Sequence, residues 1–162
     1  MKKRNKKYSG PKYVALNVMT TIFGGLSGDH MAHLQRLLAA NHQAMAAMVE
    51  GRGNRDTFDA LAGAINIGKV MCSQGIGSEF FPEMLAAHGA LVAMGVRAMK
   101  TGRFLFIGDE LKAMNEGIAC HDAQLENIRA IDLDRAAVEM QRAARDKSRT
   151  VSVRAEMERE AA

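Results

Sequence analysis

A chain of 162 residues is long enough for one domain with a real core and short for two, and 48% hydrophobic content with 5% aromatic and no Trp requires a core of Leu, Ile, Val, Met and Ala. That composition favours helix packed on helix over a sheet-based fold. The net charge of +4 is local: residues 1–20 hold Lys2, Lys3, Arg4, Lys6, Lys7 and Lys12 without an acid, and beyond them 16 basic residues face 18 acidic ones, so the basicity belongs to an arm and not to the domain.

Residues 1–13 interleave those lysines with Tyr8 and Tyr13 and are interrupted by Ser9-Gly10-Pro11, a pattern expected of a flexible, extended basic arm. A helical bundle domain is expected over 14–133 and a charged C-terminal helical extension over 134–162. Residues 14–23 are apolar enough to pack on the domain before Gly24-Gly25. The spacing predicts a first helix over about 28–50, capped by Ser27 or Asp29, with Leu34, Leu37, Leu38, Asn41, Met45 and Met48 on one stripe. A second begins near Asn54 or Asp56 and uses Phe58, Leu61, Ile65 and Met71; its internal Gly63 and Gly68 imply close approach by a neighbouring backbone. Ser78 is expected to cap a third helix with Pro82 in its first turn and Phe81, Met84, Leu85, His88, Leu91, Val92, Gly95 and Met99 turned inward, closing at Thr101-Gly102.

Arg103-Phe-Leu-Phe-Ile107 is dense in β-formers but has no partner strand, so it is expected to be a buried loop. The fourth helix starts near Gly108 with Asp109 and Glu110 in its first turn, and no Pro or Gly after residue 117 stops it before Lys147. Its stripe of Leu111, Met114, Ile118, Leu125 and Ile128 is broken by His121. Arg142, Arg145 and Arg149 fall roughly on one face beyond it. The resulting fold class is all-α: a four-helix bundle-like single domain with a basic N-terminal arm and a charged C-terminal helix.

Each candidate for chemistry has a structural alternative. Neither Glu83 with His88 nor Glu116 with His121 has the Glu-x-x-His spacing of a di-iron bundle. His30 and His33 share a helix face but lack the Glu of His-Glu-x-x-His. His88 and His121 lie on apolar stripes, which points to buried, hydrogen-bonded pins that fix helix register and can meet across the core. Cys120 precedes His121 but points to another helix face, and Cys72 and Cys120 form no CxxC pair, as expected of reduced core thiols in a cytosolic protein. The glycines of Gly24-Gly25-Leu-Ser-Gly28 lack the Lys of a P-loop. Twelve methionines supply adaptable core filler, and any that lie outside give a tolerant binding surface. Residues 17–23 are too short for a signal-peptide core, and no apolar run reaches the length of a membrane span.

The Lys-Tyr pairs near Pro11, the helix ending in Glu50-Gly-Arg-Gly53, the Ala64-Ile-Asn66 segment and the string His121-Asp-Ala-Gln-Leu-Glu126 together resemble small all-helical proteins of bacterial temperate phages and mobile elements, over roughly residues 7–130. The resemblance transfers no functional residue. It implies a context, the bacterial host cytoplasm, and a habit of binding and modulating host or phage complexes, defence machinery included. The expectation is therefore a non-catalytic protein-binding module with no cofactor, no metal and no catalytic residue, and a homodimer as one arrangement open to it. The alternative is a nucleic-acid-binding accessory or regulatory protein using Lys2, Lys3, Arg4, Lys6, Lys7 and Lys12 with Arg142, Arg145 and Arg149, since phosphate contacts need such clusters; the same residues can instead rest on an acidic partner.

Overall fold

The computed structural model describes residues 30–126, 128–145 and 153–160. Six α-helices occupy them: α1 (His30–Val49), α2 (Arg55–Ser73), α3 (Phe81–Thr101), α4 (Gly108–Glu126), α5 (Ala130–Arg145) and α6 (Val153–Glu160), with a 3-10 turn at Ser78–Phe80. Among the described residues there is no strand, and the domain is all-α and bundle-like, with six helices where four were expected. Residues 1–29, including the six basic arm positions, the 14–23 segment and the caps Ser27 and Asp29, lie outside the described residues.

Local signals set most of the boundaries. Asn54 caps α2 reciprocally: its Oδ1 accepts from the Thr57 N–H at 3.0 Å while Thr57 Oγ1 accepts from the Asn54 N–H at 2.9 Å. Pro82 sits in the first turn of α3, and Gly102, in the left-handed region at φ 71°, closes it. Ser78 does not cap α3; it opens the 3-10 turn, where no side-chain cap forms. The segment between α3 and α4 is a loop that buries Phe106 and leaves Leu105 and Ile107 exposed, so only part of it is buried as expected.

The central element is α2. It packs against α1, α3, α4, α5 and α6, and it is apolar around most of its circumference, from Phe58 and Leu61 through Ile65, Ile67, Val70 and Met71. Gly68 is where its neighbours come closest: a Cβ there would lie 2.8 Å from Met84 Sδ and 3.1 Å from Gln124 Oε1. Two apolar clusters flank α2. One joins Met45, Met48, Phe58, Leu61, Ile65, Met84, Leu91, Met94, Met114 and Ile118; the other joins Leu34, Leu37, Ile67, Val70, Met71, Leu125, Ile128 and Leu133.

Two expectations about the C-terminal half are corrected. The helix that begins at Gly108 ends at Glu126 instead of running to Lys147. The break lets α5 turn back so that Leu133, Ala136 and Ala137 complete the second cluster, and the expected boundary at 133/134 falls inside that helix. Nor does the C-terminal helix project into solvent: Val153 and Met157 of α6 are buried in the first cluster, and α6 packs on α3. The inner face of α3 is corrected as well. Phe81, Leu85 and Met99 are exposed, while Ala87, Ala90 and Ala98 face inward. Ala87 marks the close crossing with α4, where its Cβ sits so near Gly117 that no side chain fits between them.

Candidate functional site

Burying a polar side chain is costly without a partner, so the polar groups sunk into this bundle mark its special positions. His121 is the most deeply placed. It lies on α4 between Ile118 of the first cluster and Leu125 of the second, and its side chain is fully buried. Its Nδ1 faces Gln124 Oε1 at 3.4 Å, a geometry in which the ring N–H donates, and its buried Nε2 has no hydrogen-bond partner. Burial holds its pKa down to about 4, against an ordinary 6.5, with Gln124 and Asp122 offsetting only part of the effect. His121 is therefore neutral near pH 7.

Gln124, one turn on, ties three elements together. Its two Nε2 hydrogens are shared among Ile76 O at 2.9 Å, Cys72 Sγ at 3.1 Å and Gly68 O at 3.2 Å. The Cys72 thiol in turn donates to Gly77 O at 3.0 Å. Asn41, buried on α1, occupies the corresponding level between Leu37 and Ala44, and His42 beside it reaches Asp122 Oδ2 at 2.8 Å. Along each of these two helices the residues of the two apolar clusters are thus separated by buried polar ones, Asn41 on α1 and His121 and Gln124 on α4.

His88 and His121 do not meet. The His88 ring is sandwiched between α2 and α6: its Nδ1 accepts from Lys69 Nζ at 2.9 Å and its Nε2–H donates to Glu156 Oε2 at 2.6 Å. Burial lowers the His88 pKa more than the Glu156 hydrogen bond raises it, and the nearby Lys69 ammonium lowers it further. Lys69 is itself lowered by burial, and the His88 hydrogen bond lowers Glu156. This is a neutral imidazole held by a cation on one side and an anion on the other. Both ring nitrogens are occupied, which makes His88 a tie between helices.

The thiols are held in the protonated form, since burial raises the pKa of both Cys72 and Cys120. His30 Nε2 faces the Ile128 carbonyl at 3.1 Å, and His33 is buried with its pKa lowered first by burial and then by Arg36 and His30. Among the described residues no group of three or more His, Cys, Asp or Glu side chains converges in a metal-binding arrangement. Arg142 is exposed and pairs with Glu139 on its own helix at 3.7 Å. Arg149 and the side chain of Arg145 lie outside what is described. No described helix is long and apolar enough to cross a membrane.

The chain matches no protein-family model, and no curated protein or solved structure is detectably similar to it.

One surface is distinctive in chemistry. The outward positions of α3 over its first four turns include Phe81, Pro82, Leu85, Ala86, Gly89 and Ala93, all exposed and all apolar. The spacing of Pro82, Ala86, Gly89 and Ala93 draws a straight shallow furrow along the helix, flanked by Phe81 and Leu85 at i and i+4. Between residues 81 and 96 the only charge is Glu83. A solvent-facing helix ordinarily carries charged and polar residues on that side.

Sequence reading placed His121 and His88 correctly in the interior and missed their partners. Gln124 had a legible signal, since it lies three residues after His121 on the same face. Lys69 did too, as the one charge in the run Ala64-Ile-Asn-Ile-Gly-Lys-Val-Met71. Glu156, among many charges near the C-terminus, had none.

Proposed function

We propose that the protein is a non-catalytic protein-binding module that modulates a macromolecular complex, and that the uncharged outer face of α3 is its contact surface. The observation that carries this reading is the row of six outward apolar residues from Phe81 to Ala93. Two further features support it. The deeply buried histidines His121 and His88 and the thiol of Cys72 are spent on holding helices together, and the thiols and His121 are held in their uncharged forms. Exposed Met31 and Met99 add adaptable apolar area of the kind found on tolerant binding surfaces. The resemblance to proteins of temperate phages and mobile elements suggests a host or phage assembly, including defence machinery, as the target.

The experiment is affinity capture from a nuclease-treated bacterial lysate, wild type beside Ala86→Glu. The reading expects a specific protein retained by the wild type and lost from the variant. Retention that disappears on nuclease treatment would favour the nucleic-acid-binding alternative, and equal capture by both proteins would remove the α3 face from the interface.

A further inference from the structure

Helix α6 has eight residues, fewer than the roughly 12–15 that let a helix persist unaided in water, so its shape depends on what it sits on. The cleft between α2 and α3 reads it at three points. Asn66 Oδ1 of α2 accepts from the Val153 N–H at 3.2 Å, taking one of the free donors of a helix start. His88 of α3, backed by Lys69, binds the Glu156 carboxylate three residues on. At the next position Met157 fills a hollow over Gly95, where a Cβ would overlap the thioether and lie 3.2 Å from Phe58.

Asn66 and His88 are themselves buried, at 8% and 3% exposure, so the cleft has fixed polar groups set in an apolar floor. Without a helix it would leave both groups without these partners and Phe58 uncovered, so it favours any helix that presents an apolar start, a carboxylate at the fourth position and a long apolar side chain at the fifth. Every one of these contacts is made by atoms of α6. None depends on the covalent link to the rest of the same chain.

We infer that this cleft is a helix-receiving site that also takes α6 of a second copy, giving a dimer in which the two chains exchange their C-terminal helices. The contacts in the exchanged and unexchanged forms are identical, so the helix of a second copy competes with the tethered one at its effective concentration, and the dimer fraction rises as the protein concentration approaches it. The second copy is the occupant because its helix carries the one sequence known to satisfy all three points.

Two full-length variants test this by complementation. Met157→Asp spoils the helix and leaves its cleft intact; Gly95→Leu closes the cleft and leaves its helix intact. Each alone is expected to remain monomeric by light scattering at about 100 µM, a level that favours weak association. Their equimolar mixture is expected to give a 1:1 dimer, which is lost again when Glu156→Arg is added to the Gly95→Leu chain. A mixture of two folded variants that stays monomeric overturns the inference.

Should Gly95→Leu fail to fold, a fluorescent peptide of residues 150–162 is titrated into the Met157→Asp chain. Saturable binding supports the site, with at least about thirtyfold weakening for the Met157→Ala peptide. No binding to the folded chain overturns it.

Discussion

Acid should strip stability from this bundle through His121, and the amount follows from its burial. The ring is neutral in the folded chain down to about pH 4, whereas in the unfolded chain it protonates near 6.5. A basic group whose folded pKa is lowered gives its full contribution above the unfolded value and loses it as the pH falls toward the folded one. Over that 2.5-unit window, at about 1.4 kcal/mol per unit, the loss is about 3 kcal/mol by pH 4, a large share of a typical 5–15 kcal/mol total. The charge that acts on the ring is that of Asp122, which is engaged with His42, and Gln124 is the neutral hydrogen-bond partner.

His121→Leu removes the titration while nearly preserving volume, and it also removes the unpartnered Nε2, so its stability at pH 7.5 should lie within about 1.5 kcal/mol of wild type. The assay is urea unfolding of both proteins at pH 7.5 and pH 4. Other groups whose stability contributions fall in acid, among them His33, His88 and Glu156, are common to both proteins and cancel in the difference. Wild type should lose about 3 kcal/mol more than the variant. Parallel losses would refute the claim that His121 is sealed in a neutral form.

Gln124→Ala leaves the Ile76 carbonyl without its donor and removes a second bond to the Gly68 carbonyl, and should cost about 1–3 kcal/mol by the same measurement. Glu110 clasps the turn before α4, accepting from Arg97 through both oxygens at 2.7 and 2.5 Å and from the Ile107 N–H at 3.0 Å. Glu110→Ala should therefore cost at least about 2 kcal/mol, with early hydrogen exchange over 103–110. Gly89→Glu places a side chain into open space on an exposed helix, so thermal unfolding should show unchanged stability or a gain of about 0.5 kcal/mol, while partner capture is lost. Loss of stability in that variant would show that the face is packed against something within the chain.

Much of the architecture was legible because the apolar spacing of α1, α2 and α4 matches what is buried: Leu34, Leu37, Met45 and Met48; Phe58, Leu61, Ile65 and Met71; Met114, Ile118 and Leu125. The reading failed where size and apolarity point in opposite directions. On α3 the bulky Phe81 and Leu85 were assigned inward, but the tight crossing at Gly117 is filled by Ala87, and Ala90 and Ala98 share the inner face with Met84, Leu91 and Met94. The break after Glu126 involves no Gly or Pro; it comes from the burial gained when Leu133, Ala136 and Ala137 turn back onto α2, a tertiary effect that local signals do not carry. The same holds for α6, whose charged sequence reads as a solvated end although Val153, Glu156 and Met157 dock at one cleft. Of the candidate site, the interior positions of His88 and His121 were readable from the stripes, whereas the outer face of α3 became visible only once its inner face was known.

The most direct measurement places a photo-crosslinking residue at position 89 and, as a control, at exposed position 43 on α1, then irradiates each protein in a bacterial lysate. The account predicts one strong adduct with a host or phage protein from position 89 and none from position 43. No adduct from position 89, or an adduct from position 43 alone, would contradict a binding role for the α3 face.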